Sequence, residues 1–378
     1  MVKLNRMLLI GSAGRNVGKT ELACTLIRKF SKSGPIVGIK VTTIRAKDGQ
    51  CPRGGRGCGV CSSLNGDFCI TEETDKNSNK DTARLLKAGA SRVFWLRVMK
   101  THLKEGLTTL LDVVGPDAVL ICESNSLRRV VEPAVFLMIT ARDSGAWKST
   151  ARDVRERVDK ILTWDGSGFD FDIDRIRLVD GKWRLMEEAT AIIMAGGESR
   201  RMGVDKSMLP FKGCALIETI AEQLRDSFSQ ILISANEVEK FAFLDLPIIR
   251  DRVPGQGPLM GIASALEASD NELNFVVACD IPYIDLRYVR RMLTEADGVD
   301  AVVPTAAGEK YEPLFAVYCK SSLGAINETL SLGKRKISDV FSRCRVRYIE
   351  LDTADWFTNI NTMSEYNDFL ECLKDCYD

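Results

Sequence analysis

Residues 7–20 read MLLIGSAGRNVGKT, and residues 191–206 read AIIMAGGESRRMGVDK. Each stretch starts as a short apolar run and breaks into a glycine-rich loop. A helix-forming stretch follows, about Glu21–Lys32 in the first case and about Ile217–Ser227 in the second. A short apolar run bounded by glycine reads as a buried strand. Loop glycines let the backbone turn sharply and approach a ligand closely. Strand, glycine loop and helix are therefore predicted twice.

Working outward, apolar runs recur at Val37–Lys40, Val93–Leu96, Ala118–Cys122 and Val135–Ile139 in the first half. The second half offers Gln230–Ser234, Phe275–Cys279, Ala301–Val303 and Leu314–Tyr318. Short apolar strands alternating with helical stretches predict parallel sheets covered on both faces. The joint lies in Asp165–Glu188, which opens with Gly and Asp and then offers two strand-like pieces around Asp180-Gly181. Asp-Gly between such pieces is a hairpin signal. We place the break near Glu187, giving domains 1–187 and 188–378; the hairpin as an edge addition to one sheet barely moves it.

The chain has 378 residues, which suits two domains. Lys plus Arg and Asp plus Glu both number 52, so the formal charge is zero. That argues against nucleic acid as a bulk partner. There is one histidine, His102, most simply a surface helix residue, so His-based triads and most metalloenzyme designs are excluded. The N-terminal apolar run is too short for a signal peptide, and no run approaches the roughly 18 apolar residues of a membrane span. A cytoplasmic chain with no membrane partner is expected, and its 12 cysteines are expected as thiols or metal ligands rather than disulfides.

Ala13–Thr20 reads AGRNVGKT. A phosphate-binding loop has the form GxxxxGK[ST]; here Ala13 stands in the first glycine's place and Gly14 follows it. Gly18, Lys19 and Thr20 open a helix directly after a strand. In that context backbone N–H groups and the helix N-terminus cradle phosphates, Lys19 reaches the β- and γ-phosphates, and the Thr20 hydroxyl binds Mg²⁺. Glu123, ending the Val119–Cys122 strand, is the candidate second ligand or water-positioning carboxylate.

This half, from about Leu8 to Thr140, resembles MobB, the P-loop GTP-binding adaptor family of molybdopterin-guanine dinucleotide biosynthesis. The resemblance rests on the Gly14–Thr20 loop, Ile36–Lys40 (IVGIK), Lys80-Asp81-Thr82, Lys87-Ala88-Gly89-Ala90 and Leu120–Glu123. It implies GTP binding, homodimerisation through this half, and molybdoenzymes or cofactor-insertion proteins as partners. The family's His- and Asp-rich stretch after the IK strand is absent, and Val41–Ile44 stands there. Ser124 replaces the glycine after the strand-end Glu. A binding module without useful turnover is the other reading.

An insertion over 51–69 carries Cys51, Cys58, Cys61 and Cys69 among five glycines. Four thiolates in such a loop can close on Zn²⁺ or ligate an iron–sulfur cluster. Cys24, Cys122, Cys279 and Cys319 fall in predicted core elements.

The second loop lacks both GK[ST] and GxGxxG. It sets Arg200, Arg201 and Lys206 beside glycines, which suits neutralising a triphosphate. Asp280 ends the Val276–Cys279 strand, where it can hold Mg²⁺ against an α-phosphate. Asn236 and Asp251 also sit at strand ends. From Ala191 to about Phe369 the chain resembles MobA, the molybdenum cofactor guanylyltransferase family. The matching motifs are Met194-Ala195-Gly196-Gly197, Arg201-Met202-Gly203, Asp205-Lys206, Gly257-Pro258-Leu259, Cys279-Asp280, Glu312–Phe315 and Asn359–Thr362. Met194 replaces the usual Leu.

The resemblance implies that Ala195, Gly196, Lys206, Asn236 and Asp251 contact GTP, that Asp280 binds Mg²⁺, and that Asn359 and Asn361 lie on the molybdopterin side. Arg201, Lys206 and Asp280 are the expected catalytic residues; Met194 and Gly197 complete the loop. The expected reaction joins the terminal phosphate of molybdopterin to the α-phosphate of GTP and releases pyrophosphate. CTP or another phosphate acceptor is the alternative. The expected fold class is α/β: two tandem doubly wound domains, a P-loop NTPase-like one followed by a Rossmann-like nucleotidyltransferase.

Overall fold

Alternation along the first apolar run decides how it is used. Leu8 and Ile10 point into one hydrophobic cluster, Met7 and Leu9 into another, and all four are fully buried. A strand that is apolar on both faces belongs in the middle of a sheet covered on both sides. The same alternation recurs at Ala191 and Ile193 against Ile192 and Met194. The computed structural model describes residues 1–14, 16–44, 64, 66–142, 147–196, 205–306, 310–351, 357, 359–360 and 362–375. It divides into two compact units, Met1–Leu185 and Met186–Asp378.

In the first unit the order is β1 (Val2–Ser12), α1 (Lys19–Phe30), β2 (Ile36–Ile44), β3 (Phe68–Glu72), α2 (Asp81–Lys87), β4 (Arg92–Met99), α3 (Leu103–Val114), β5 (Val119–Glu123), β6 (Val131–Ala141), the short α4 (Ser149–Arg152), β7 (Lys160–Trp164), β8 (Ile176–Val179) and β9 (Lys182–Leu185). Among the described residues seven strands form one sheet, ordered β3-β4-β2-β5-β1-β6-β7. β1 runs parallel to β5 and β6, with Ile10 opposite Glu123. The glycine loop and Glu123 therefore leave the same edge.

Asp180 and Gly181 turn the β8–β9 hairpin with φ of 49° and 72°. Both values are left-handed, as a two-residue hairpin turn requires. This hairpin is neither a free linker nor an edge strand. It is a separate two-stranded sheet whose Trp183 is fully buried, donates Nε1–H to the Leu120 carbonyl at 3.1 Å, and meets Phe30 edge-on at 5.0 Å.

In the second unit the order is β10 (Glu187–Met194), the small β11–β12 hairpin (Pro210–Phe211, Cys214–Ala215), α5 (Leu216–Arg225), β13 (Phe228–Ser234), α6 (Val238–Phe241), β14 (Ile248–Ile249), α7 (Pro258–Ala268), β15 (Leu273–Ala278), α8 (Leu286–Thr294), β16 (Ala301–Ala306), β17 (Lys310–Tyr311), β18 (Phe315–Cys319), α9 (Leu323–Ser331), β19 (Val346–Glu350) and α10 (Met363–Asp375). The main sheet runs β14-β13-β10-β15-β18-β16-β17, with β19 beside β16.

The expectation of parallel sheets needs correcting. β3 pairs antiparallel with β4, β17 with β16, and β18 with both β15 and β16. Only a few residues separate β16 from β17, too few to cross over a sheet face, and that forces this pair antiparallel. The strands carrying the loops, β1 and β10, remain parallel to both neighbours.

Candidate active site

The second glycine loop leaves β10 between β13 and β15, so its edge collects residues from all three strands. Ala195 N–H donates to the Ser234 carbonyl at 3.0 Å, and Cys279 N–H to the Met194 carbonyl at 3.1 Å. These bonds hold the strand ends together just where the chain leaves the sheet. Asp280 follows β15, and Lys206 Nζ reaches its Oδ2 at 3.2 Å. Asp205 caps the single turn that carries Lys206 and is paired with Lys240. Asn236 Nδ2 donates to Asp251 Oδ2 at 2.9 Å, and Asp251 N–H donates back to Asn236 Oδ1 at 3.0 Å.

Gly261, on α7, allows the close approach beneath this edge. A Cβ there would lie 2.7 Å from Ser234 Oγ and 2.9 Å from Met194 Cε. Asn359 Nδ2 donates to Glu312 Oε2 at 3.4 Å, and Ile360 N–H donates to the Asp280 carbonyl at 2.9 Å. The structure thus brings Lys206, Asp280, Asn236, Asp251 and Asn359 to one edge beside Ala195 and Gly196.

No group of three or more His, Cys, Asp or Glu side chains among the described residues could hold a metal alone. Asp280 suits the other way of holding Mg²⁺, in which one or two carboxylates act together with substrate phosphates. Burial pushes the neighbouring Cys279 thiol up to about 12, which disfavours its thiolate form. Cys279 itself is half-buried just past β15, not in its core.

The first loop presents a different arrangement. Gly18, at φ 80°, precedes α1, whose first two residues are Lys19 and Thr20. Thr20 Oγ1 donates to Glu123 Oε2 at 3.2 Å. Glu123 is 1% exposed, and its Oε1 carries no hydrogen bond among the described residues. Burial raises the Glu123 carboxyl above its ordinary range, against the pull of Lys19 and Lys40. Burial likewise lowers Lys19, and nearby Glu123 opposes that shift. A buried hydroxyl beside a carboxylate oxygen with no partner fits a small divalent cation.

Residue reading assigned no role to several supports. Lys40 ends its shared register with β5 opposite Glu123 and is paired with Asp81. Asn125 brackets the start of the loop, accepting Ser12 N–H at 2.8 Å and donating to the Ser12 carbonyl at 2.9 Å. Lys148 donates to the Gly14 carbonyl. Lys40 and Asp81 lie inside the quoted IVGIK and KDT motifs, so a signal existed for them. Asn125, Lys148 and Lys240 had none, because only folding brings them near.

The family model of the MobA-like NTP transferase domain matches residues 191–348. A probable molybdenum cofactor guanylyltransferase of Carboxydothermus hydrogenoformans is 36% identical over 196 residues, covering 50% of this chain and 98% of that protein. The chain belongs to the molybdenum cofactor guanylyltransferase family through its C-terminal half. The like-named protein of Pelotomaculum thermopropionicum is 37% identical, covering 48% of this chain and 91% of its own. The crystal structure of molybdopterin-guanine dinucleotide biosynthesis protein A from Archaeoglobus fulgidus is 25% identical, with a TM-score of 0.44 over 49% of this chain and 99% of that one.

The guanylyltransferase half is therefore a nucleotidyltransferase, and its matched span holds Ala195, Gly196, Lys206, Asn236, Asp251 and Asp280. Gly197, Arg201 and Asn361 lie outside the described residues, as do Cys51, Cys58 and Cys61. Cys69 lies on β3, where Arg97 Nη2 donates to its sulfur at 3.2 Å. His102 stands at the start of α3, 3.6 Å from Asp67. No helix among the described residues is long and apolar enough to cross a membrane.

Proposed function

We propose that the guanylyltransferase half transfers GMP from GTP to the terminal phosphate of molybdopterin, forming the guanine dinucleotide of the cofactor. The observation that carries this is the Lys206–Asp280 pair at the loop edge, with Asn236–Asp251 on one side and Asn359 tied to Glu312 on the other. One edge thus offers polar groups to two ligands. An oxygen of the acceptor phosphate forms a bond to the α-phosphorus as the bond to the β-phosphate oxygen breaks, and pyrophosphate leaves. The nucleophile is already anionic, so no general base is required, which suits a chain with one histidine.

Loop amides after Met194 and the Lys206 ammonium would hold the triphosphate in line and offset its charge. Asp280 would hold Mg²⁺, which when bound neutralises charge on the α-phosphate and the leaving group. On this reading the Asn236–Asp251 pair would face the nucleoside, and Asn359 the acceptor. The deciding experiment supplies GTP or CTP with Mg²⁺ and molybdenum cofactor and follows pyrophosphate. Release with GTP is expected; release with CTP alone overturns this reading.

For Met1–Leu185 the same proposal takes residues 13–20 as a P-loop holding GTP, with Lys19 on the phosphates and Thr20 and Glu123 placed for Mg²⁺. The orphan Glu123 Oε1 carries that part. The unit would serve as a nucleotide-binding adaptor to the transferase.

A further inference from the structure

Lys206 stands on a single helical turn, Lys206–Met208, and Asp205 fixes the start of that turn. Asp205 Oδ1 accepts from Ser207 N–H at 3.0 Å and from Ser207 Oγ–H at 2.6 Å, and its carbonyl accepts Met208 N–H at 3.2 Å. Its other carboxylate oxygen, Oδ2, is paired with the Lys240 ammonium. One oxygen therefore caps the turn that carries Lys206, and the other ties that turn to a different element.

That element is α6. It opens two residues after Asn236, and its last residue, Phe241, is fully buried in the core. Lys240 Nζ lies 5.1 Å from the centroid of the Phe241 ring. One short anchored segment thus presents Asn236 to Asp251 at its start and Lys240 to Asp205 at its end. Burial raises the Cys279 thiol, Asp280 adds to that, and the charges of Lys206 and Lys240 both oppose it, so Lys240 acts within reach of the Asp280 edge. Charges alternate in sign from Lys240 through Asp205 and Lys206 to Asp280. The Lys240 and Asp205 side chains keep 27% and 35% of their surface in solvent, and a pair that wet adds little to stability. Its effect lies in where it sits.

We propose that Lys240 is a positioning residue for the transferase reaction, holding the Lys206 turn in place through Asp205. The inference rests on the reading that Lys206 serves the triphosphate. To meet a phosphate, the Lys206 ammonium has to leave Asp280 Oδ2. The ion pair that then still fixes the turn is Asp205–Lys240. Because α6 also follows directly from Asn236, the strut sets the phosphate-binding ammonium at a constant place relative to the Asn236–Asp251 pair. A group held in advance loses little order when the substrate arrives.

The test follows pyrophosphate release from GTP by the full chain with Mg²⁺ and molybdenum cofactor, together with a thermal melt of each variant. Lys240→Met keeps an unbranched stem beside the Phe241 ring and removes the charge. It should lower kcat/KM for GTP by about tenfold with the melt unchanged, and Lys240→Arg should keep most of the rate. In a Lys206→Ala background, Lys240→Met should cost nothing further, because it acts through that lysine. A normal rate in Lys240→Met overturns the proposal. So does an undiminished loss in the Lys206→Ala background, which would make Lys240 independent of Lys206, and so does a loss that merely follows a lowered melting temperature. If Lys206→Ala itself keeps a normal rate, the triphosphate reading of Lys206 falls and this inference falls with it.

Discussion

Beside the first glycine loop the charges are inside the protein: Glu123 is 1% exposed, and its partner Thr20 is also buried. Beside the second, Lys206 and Asp280 keep 17% and 23% of their side-chain surface in solvent. Burial disfavours the charged forms of both Lys19 and Glu123, so the first site is under electrostatic tension by itself. A polyanion on Lys19 and a cation on Glu123 would relieve it together, which suits a grip on one nucleotide and its metal. The described groups of the second site keep part of their surface in solvent, so their pairs are partly screened by water. That suits a reaction that admits two substrates and releases two products. The difference teaches that the same strand–loop–helix start can be surrounded by buried or by part-exposed charges, and on the function proposed above that separates a clamp from a reaction edge.

The strongest way to break this comparison is to remove one carboxylate from the open site. Asp280→Ala should lower pyrophosphate release by at least about 10²-fold with the circular dichroism of the fold unchanged, because it removes the carboxylate proposed to hold the metal. Near-normal turnover would place the metal elsewhere. The matching change at the clamp is Lys19→Ala. It should cost the first unit its bound nucleotide in a titration while pyrophosphate release continues; loss of both would mean that the halves do not act independently.

A smaller effect is expected beneath the open edge. Gly261→Val puts new atoms where Ser234 Oγ and Met194 Cε already stand, with Asp251 Oδ1 3.3 Å away. Destabilisation of about 1–3 kcal/mol is expected from overpacking, together with a raised KM for GTP as the Asp251 edge is displaced. A thermal melt and a Michaelis curve check it, and an unchanged KM would separate Gly261 from the nucleotide.

The smallest effect lies away from both loops. Asp300 accepts from Ser321, from the Arg345 backbone and from its guanidinium, and the Arg345 bonds hold its carboxyl down at about 2. The folded value is below the ordinary Asp value of about 3.9, so the contribution is full above that pH and fades as pH falls through about 2. Asp300→Asn should therefore cost about 1 kcal/mol at neutral pH, discounted for the exposed Arg345, and the gap from the unaltered protein should shrink in acid. Denaturant melts at two pH values read this; a gap that does not narrow would assign Asp300 no ionic role.

Much of the site could be read along the chain because its residues cluster at strand ends. Asn236, Asp251 and Asp280 each follow an apolar run, and strands that run parallel bring their ends to one edge. The Asp180-Gly181 turn was legible for a local reason, since two left-handed residues in a row need that chemistry. Asn125, Lys148 and Lys240 could not be read, because each reaches its loop across a long stretch of chain. The antiparallel β18 was hidden too: an apolar run such as Phe315–Cys319 states burial but not direction.

By itself, then, the sequence determined what is periodic or local. It set the buried strands, the two glycine loops, the hairpin turn and the near absence of histidine, a residue the proposed phosphate chemistry does not need. Tertiary structure alone decided which charges are buried and which stay wet. Burial depends on what the other strands and helices place around a group, and that placement separates Glu123, the last residue of β5, from Asp280, just beyond β15, although both follow an apolar run in the sequence.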